Sequence, residues 1–210
     1  MSTWLSKWTM SHEEFAEMFK ADPHNTHQAV WDFFGNKHAD RKFLFRVLKN
    51  QHQCSILVQS EYPVVNRPIT GTFLTKEIQI TLSEGTYRFE LTGNPVVSKS
   101  RMHLGNKNST RVPLYKTDDI VKWFTAMMDK KGFSVESVSV GPVMTDYSAT
   151  KKFQLGTCDL QGVLRVIDAA AATEASLLGV GKERSYGCGL LCLVPIAQET
   201  VSDSNEDSDD

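Results

Sequence analysis

The order of helical and strand-like segments after residue 115 is the feature that most limits the fold of this chain. Two amphipathic or alanine-rich runs predict helices, "KTDDIVKWFTAMMDKKG" at 116–132 and "DAAAATEASLLGV" at 168–180. Segments rich in β-branched residues lie between these helices, "FSVESVSVGPVM" and "LQGVLRVID", and "GCGLLCLVP" follows them. With a strand before the first of these helices, the second half reads β-α-β-β-α-β, which is the ferredoxin-like arrangement.

The first half of the chain carries a reduced version of the same order. Its helix is well marked, because Asp22 is a good N-cap residue and Pro23 suits the first helical position. The strand-like segments are residues 3–10, 42–49, 54–60, 72–82 and 86–93, with a turn at Ser83-Glu84-Gly85 between the last two. A strong second helix is missing. We therefore predict an α+β fold of two tandem ferredoxin-like (RRM-like) domains.

Composition sets the predicted limits of these domains. We expect an N-terminal domain at residues 1–92 and a C-terminal domain at 115–197, joined by a glycine-, serine- and lysine-rich connecting loop at 93–114. The last segment, 198–210, holds six acidic residues and no basic ones. It has too few apolar residues to offset the entropy of ordering, so we expect a disordered acidic tail.

Charge and hydropathy indicate which binding partners and which cellular compartment to expect. The whole chain has a net charge of −2, but outside the tail 23 basic residues face 19 acidic ones. A basic body suits a polyanionic partner, and the tail either aids solubility or competes for the basic face. The chain has no run of about 18 apolar residues, and its N-terminus is too polar for a signal peptide. We therefore expect a cytoplasmic protein without a membrane partner.

The cysteines offer no metal or disulfide pattern. They are Cys54, Cys158, Cys188 and Cys192. None forms a C-x-x-C pair, and a zinc site needs thiolates or histidines at short spacing. We interpret all four as small buried hydrophobic residues, and we predict neither a bound metal nor another cofactor.

The glycine loop, residues 179–191 ("GVGKERSYGCGLL"), is rich in glycine and basic residues, which suggests a nucleotide site. The spacing of its glycines, however, matches neither of the two common nucleotide-binding motifs. A P-loop needs glycine where Ser176 stands and serine or threonine where Glu183 stands, and a dinucleotide fingerprint needs glycine at Arg184. The loop also follows a helix, whereas both motifs precede one. Two interpretations remain open: a connection whose glycines adopt positive φ, or a loop whose Lys182 and Arg184 bind phosphates.

The glycine loop, continued to Pro195, closely resembles the C-terminal signature of the CasE family of CRISPR repeat-processing endoribonucleases. Other segments resemble that family in the same order: "PHNTHQAVWDFF" followed by "RKFLFRV", then "LTGNPVVSKS", then "RVPL". The resemblance spans residues 2–197 and leaves only the acidic tail outside. The tandem RRM-like domains of that family agree with the fold predicted from periodicity.

The resemblance implies a metal-independent endoribonuclease, monomeric when free, that binds the stem-loop of CRISPR repeat RNA. It would cut precursor RNA once, at the 3′ base of the stem, by attack of a 2′-hydroxyl that leaves a 2′,3′-cyclic phosphate and a 5′-hydroxyl. The guide RNA would stay bound and join the other protein subunits of a type I-E antiviral surveillance complex. The alternative is a non-catalytic RNA-binding subunit of the same type of complex.

The family's catalytic histidine corresponds to His27. In some members a tyrosine stands three residues earlier, where this chain has His24, which is a departure from the pattern. Residues three apart are neighbours on a helix, so we expect the two histidines to share one site. Because histidine titrates near neutral pH, we expect one to accept the proton of the 2′-hydroxyl and the other to protonate the leaving oxygen.

Basic side chains are expected to bind the RNA and to stabilise the extra negative charge of the transition state. The candidates are Lys37 and Arg41 after the histidine helix, Lys99, Arg101 and Arg111 in the connecting loop, Lys152 in "KKFQ", and Lys182 and Arg184 in the glycine loop. Lys152 resembles a basic position of the family's second domain, although its spacing to "LQG" departs by about two residues. For each candidate the plain alternative is a solvated surface charge.

Overall fold

The part of the chain that the structure describes forms two large antiparallel β-sheets and a separate pair of short strands. The computed structural model describes residues 2–35, 42–99 and 110–197. Its elements are β1 (Thr3–Met10), α1 (His12–Phe19), α2 (Pro23–Asp32), β2 (Phe43–Lys49), β3 (Cys54–Ser60), β4 (Thr72–Ile78), β5 (Gly85–Gly93), β6 (Val96–Lys99), β7 (Thr110–Pro113), α3 (Thr117–Asp129), β8 (Phe133–Val140), β9 (Met144–Ser148), β10 (Phe153–Val166), α4 (Ala169–Leu178) and β11 (Cys192–Pro195).

The first sheet has the strand order β2-β3-β1-β4, and all neighbouring strands are antiparallel. This is the ferredoxin-like order, with α1 and α2 in the crossover from β1 to β2. The described segment between β3 and β4, residues 61–71, contains no helix. The second crossover of this unit therefore has no helix, which agrees with the absence of a strong second helix in the sequence prediction. Its core includes Trp8, Phe19, Val30 and Phe45, all almost completely buried.

Helix α1 is absent from the sequence prediction, and its N-terminus explains why it forms. Ser11 Oγ accepts the N–H of Glu14 at 3.1 Å, and the Glu14 carboxylate accepts the N–H of Ser11 at 2.8 Å. This reciprocal capping box satisfies two backbone donors at the start of the helix. The S-x-x-E signature is visible in the sequence, but the helix is only eight residues long.

The second sheet has the strand order β11-β5-β10-β8, again with antiparallel neighbours, and β9 pairs with the first part of β10. This is the ferredoxin-like order as well, with α3 and α4 as the crossover helices. One buried cluster joins the sheet to both helices and includes Phe89, Phe124, Phe133, Leu160 and Ala172. The predicted α+β fold of two tandem ferredoxin-like domains is therefore confirmed.

Strand β5 corrects the assignment of residues 86–93 to the first half. In the sequence-based prediction this segment belongs to the N-terminal domain, after the turn at Ser83-Glu84-Gly85, but β4 pairs with β1 while β5 pairs with β10 and β11. Phe89 and Leu91 therefore contribute to the second core. Periodicity locates a strand and its buried face, but it does not reveal the partner strand. The second ferredoxin-like unit begins at β5, so a boundary after residue 92 separates this strand from its own sheet.

The segment expected as a connecting loop, residues 93–114, is an insertion between β5 and α3. Its described ends form the antiparallel strands β6 and β7, paired from Val96 with Pro113 to Lys99 with Thr110. Because β5 and α3 both belong to the second unit, the insertion extends from that unit and does not link the two.

The predicted cap of α2 and the predicted burial of Cys54, Cys158 and Cys188 are confirmed. Asp22 caps α2, and Asp168 caps α4 by accepting the N–H of Ala171 at 3.0 Å. All four cysteines are free, and only Cys192 is not fully buried. Burial raises the pKa of the Cys158 thiol to about 11 and that of Cys188 to about 12.

Among the described residues, none of the helices combines the length and the apolarity that crossing a membrane requires.

Candidate active site at the junction of the two units

Helix α2 presents His24 and His27 on one face. The three-residue spacing brings their imidazole centroids to 6.3 Å, with the ring planes 34° apart. Both side chains are half-buried. Nδ1 of His24 is buried and has no hydrogen-bond partner among the residues that the structure describes. Buried polar atoms in proteins almost always have a partner, so this nitrogen marks a place where a bound molecule can supply one.

Aromatic side chains from three parts of the chain surround His27. Trp31 follows one turn later on α2, with its ring centroid 5.8 Å away, and Phe43 at the start of β2 lies at 6.2 Å. Tyr186 approaches from the second unit, with its ring centroid at 5.7 Å. The helical spacing of His27 and Trp31 is readable from the sequence, but no local signal places Phe43 or Tyr186 beside them.

The glycine loop brings Tyr186 to this position. Tyr186 ends a short 3₁₀ turn, Arg184–Tyr186, and its neighbour Gly187 has a φ of 86°. A Cβ on Gly187 would lie 3.2 Å from the ring of Phe45 on β2, so the loop passes close against the first unit. A Cβ on Gly189, also at a φ of 86°, would lie 2.5 Å from the carbonyl oxygen of Val180. The loop glycines therefore adopt the positive φ that the first interpretation requires, and phosphate binding by Lys182 and Arg184 stays a prediction.

The turn between β9 and β10, residues 149–152, completes the site from the other side. Thr150 donates to Oδ2 of Asp22 from its N–H at 3.2 Å and from its hydroxyl at 3.0 Å. Asp22 Oδ1 accepts the N–H of His24 at 2.9 Å. Burial raises the pKa of the Asp22 carboxyl, but hydrogen bonds from His24, Ser148 and Thr150 outweigh this effect and lower the pKa to about 2.

Phe153, the first residue of β10, links this turn to the glycine loop. Its ring centroid lies 4.7 Å from that of Tyr186. The β9–β10 turn, the glycine loop and α2 therefore form a closed set of contacts around the histidine pair. The contributing residues lie far apart in sequence, so periodicity and local motifs cannot identify this set.

Left-handed backbone conformations concentrate in the same segments. Among the described residues, the non-glycine positions with positive φ are Lys20, Ala21, Lys152 and Glu183. Lys20 and Ala21 precede α2, Lys152 ends the β9–β10 turn, and Glu183 precedes the 3₁₀ turn of Tyr186. Such residues persist where the surrounding structure holds them, and they cluster at functional sites. Their positions support a site at this junction independently of the histidines.

The basic candidates on the glycine loop and on β7 contact neighbouring segments of the chain. Lys182 Nζ donates to Ser98 Oγ on β6 at 3.0 Å, and Arg184 Nη1 donates to the carbonyl of Leu178 at 2.6 Å, at the end of α4. Arg111 on β7 forms an ion pair with Glu183. These contacts tie the glycine loop to α4 and to the inserted strands. Binding of RNA by these side chains remains a prediction.

Lys152 is exposed and directly precedes Phe153, whose ring packs on Tyr186. The remaining basic candidates cannot be placed: Lys37, Arg41 and Arg101 lie outside the described residues, as does the side chain of Lys99. Within residues 2–35, 42–99 and 110–197, no three histidine, cysteine, aspartate or glutamate side chains are grouped closely enough to hold a metal ion. Metal-independent chemistry remains a prediction for experiment.

Comparison with known proteins identifies relatives over almost the whole chain. A family model described as CRISPR associated protein matches residues 3–195. Over 194 residues the chain is 30% identical to the CRISPR system Cascade subunit CasE of Escherichia coli strain K12. That match covers 86% of this chain and 96% of the relative.

Two solved structures share the fold. Thermus thermophilus Cse3, bound to an RNA representing a pre-cleavage complex, superposes with a TM-score of 0.81 at 19% identity, covering 93% of this chain and all of that one. The CRISPR-associated protein Cas6e from Escherichia coli K-12 superposes with a TM-score of 0.72 at 27% identity, covering 92% of this chain and all of that one. Coverage this broad includes both ferredoxin-like units.

Proposed function

The chain belongs to the CasE family of CRISPR-associated proteins, and on that premise we propose that it is a metal-independent endoribonuclease for CRISPR repeat RNA. The observation that carries this proposal is the placement of His24 and His27 together at the junction of the two units. The Cse3 relative was solved with an RNA that represents a pre-cleavage complex. A shared fold with that protein supports RNA as the ligand of this chain.

The histidine pair suits the proposed chemistry, which needs an acid and a base. The 2′-hydroxyl beside the scissile phosphate attacks phosphorus while one imidazole accepts its proton. The bond from phosphorus to the 5′-oxygen of the next nucleotide breaks, and the other imidazole, as imidazolium, donates a proton to that oxygen. The products are a 2′,3′-cyclic phosphate and a 5′-hydroxyl. Positioned proton transfer of this kind contributes about 10²- to 10⁴-fold to a rate.

We assign stabilisation of the transition state to Lys152 in the β9–β10 turn. It stands one residue before Phe153, whose ring packs on Tyr186, which in turn packs on His27. The attacked phosphate gains negative charge as the new bond forms, and a fixed ammonium group nearby lowers the energy of that state. Lys152 is exposed, so it is free to approach a phosphate.

Binding of the RNA stem is assigned to basic residues of the second unit. Lys182 on the glycine loop and Arg111 on β7 form one group around Glu183 and β6, and Arg184 contacts the end of α4. Phosphate oxygens would replace Ser98 and Glu183 as partners of Lys182 and Arg111. Double-stranded RNA is read mainly through its shape and its phosphates, so several such cations share the binding energy. Lys37, Arg41, Lys99 and Arg101 remain further candidates.

The protein is further proposed to keep the processed guide RNA and to join other subunits of a surveillance complex. This part rests on the relative named as a Cascade subunit. A non-catalytic RNA-binding subunit of such a complex is the second candidate, but it leaves the paired histidines without a role.

Incubation with a repeat stem-loop RNA tests the proposal directly. We expect one cut at the 3′ base of the stem, and no cut in an RNA of equal length whose stem is unpaired by substitution in one strand. Tight binding of the stem-loop without any cut would favour the non-catalytic subunit. Equal cutting of both RNAs would overturn the assignment to structured repeat RNA.

A further inference from the structure

The carboxylate of Asp22 hydrogen-bonds the histidine helix and the second unit at the same time. Oδ1 accepts the N–H of His24, and Oδ2 accepts both the N–H and the hydroxyl of Thr150. Asp22 is buried, with 7% of its surface exposed. We infer that Asp22 is a positioning residue that fixes the histidine pair against the β9–β10 turn and thereby sets the geometry of the proposed cleavage site.

The two oxygens of Asp22 perform separable tasks. A helix cap needs one acceptor oxygen for a backbone N–H of the first turn, and Oδ1 meets that need. The contacts of Oδ2 add nothing to the cap, because Thr150 belongs to the other unit. A residue selected only to start α2 would not need this second set of partners. The contacts with Thr150 and the hydrogen bond from Ser148, both in the second unit, therefore carry the positioning role.

Backbone on both sides of the contact is held in an uncommon conformation. Lys20 and Ala21, directly before Asp22, have φ values of 49° and 54°, and Lys152, two positions after Thr150, has a φ of 54°. Left-handed residues other than glycine remain so only where their surroundings determine them. Uncommon backbone conformations therefore flank the contact between Asp22 and Thr150 on both sides.

Loss of this contact would open the closed set of interactions around His27. From Thr150 the chain continues through Lys152 to Phe153, which packs on Tyr186, and Tyr186 packs on His27. The distance between the histidines and Lys152 therefore depends on Asp22, although Asp22 need not touch the RNA. Misplacement of reacting groups by about 1 Å can lower a rate up to about 100-fold.

The test uses variants that separate the helix cap from the contact between the units. Thr150→Val removes the hydroxyl donor and leaves the Asp22 cap of α2 intact, and Thr150→Ser keeps the hydroxyl as the matched control. In Asp22→Asn only one side-chain oxygen remains to accept hydrogen bonds from both His24 and Thr150. Three quantities are measured in the whole protein: the single-turnover cleavage rate at saturating protein, the Kd for a repeat RNA with a 2′-deoxy nucleotide at the mapped cut, and the imidazole nitrogen chemical shifts of His24 and His27.

We expect Thr150→Val and Asp22→Asn to cut about tenfold more slowly with unchanged Kd, and the double variant to be no slower than the slower single one. Thr150→Ser should match the wild type. A wild-type rate in Thr150→Val, or a loss that appears only in Kd, would overturn the inference.

The inference rests on the proposed function, and the NMR signals keep the two apart. If the wild-type protein leaves the RNA uncut, the proposed function fails. The positioning role is then judged from the imidazole nitrogen signals of His27 alone. A changed His27 signal in Thr150→Val, with a wild-type signal in Thr150→Ser, supports the role, and an unchanged signal overturns it.

Discussion

The imidazole of His27 and the phenol ring of Tyr186 lie with their centroids 5.7 Å apart, across the junction of the two ferredoxin-like units. His27 is held by α2 of the first unit, and Tyr186 by the glycine loop of the second. Phe153 of β10 also packs on Tyr186, with the ring centroids 4.7 Å apart. The site is therefore a joint product of both units, so a substitution in either one should alter cleavage.

Removing the Tyr186 ring should slow the reaction more than it weakens binding. We expect Tyr186→Ala to lower the single-turnover cleavage rate about tenfold, because His27 loses a packing partner that limits its orientations. Tyr186→Phe keeps the ring and its contacts with His27 and Phe153, so it should cut close to the wild-type rate. An equal loss in both variants would assign the effect to the hydroxyl and contradict the packing role.

Substitution of the histidines tests the division of acid and base roles. His27→Ala should lower the cleavage rate about 100-fold or more, and His24→Ala at least about tenfold, with RNA affinity retained in both. His52→Ala, at an exposed position in the turn between β2 and β3, is the matched control and should leave the rate unchanged. If His24→Ala cuts as fast as the wild type, the two-histidine mechanism is wrong and His27 acts without it.

The salt dependence of RNA binding tests the glycine-loop cations. We expect the double variant Lys182→Ala, Arg184→Ala to bind repeat RNA more weakly and to flatten the plot of log K against log salt by about 1.5, since each phosphate contact contributes about 0.7–0.9. The variant Lys182→Arg, Arg184→Lys keeps both charges and should retain the wild-type slope. An unchanged slope in the alanine variant would contradict phosphate binding by these residues.

Glycine loop geometry can be tested through stability. At Gly189 a Cβ would lie 2.5 Å from a backbone carbonyl, and φ is 86°, so Gly189→Ala should cost about 2–4 kcal/mol in the free energy of unfolding. Gly156 on β10 is the matched control, because a Cβ there would meet no atom within 4 Å, and Gly156→Ala should stay within about 0.5 kcal/mol. Urea denaturation of both variants measures the difference, and equal stabilities would contradict the assigned loop conformation.

Local patterns were enough to predict most elements and the fold class. The Asp22 cap, the alternating strands and the missing second helix of the first unit all follow from interactions within a few residues. The partner of β5 does not, because its pairing with β10 depends on which core receives Phe89 and Leu91. The sequence therefore predicts the order of the elements, but it does not predict the boundary between the two units.

The candidate site divides in the same way. A three-residue spacing on one helix predicts that His24 and His27 are neighbours, and the ring distance of 6.3 Å agrees with it. The contacts of Tyr186 with His27 and of Thr150 with Asp22 join residues that are remote in sequence. They arise from the packing of one unit against the other, and no periodicity or motif encodes such contacts. Identifying them requires the three-dimensional structure.

The central claim is that the histidine pair cuts RNA by 2′-hydroxyl attack without a metal ion. The most direct measurement incubates the wild-type protein with repeat stem-loop RNA in EDTA and determines the chemical ends of the products. The account predicts a single cut that leaves a 2′,3′-cyclic phosphate and a 5′-hydroxyl, and that is lost in His27→Ala. Absence of cutting until a divalent cation is added, or products with a 3′-hydroxyl and a 5′-phosphate, would contradict it.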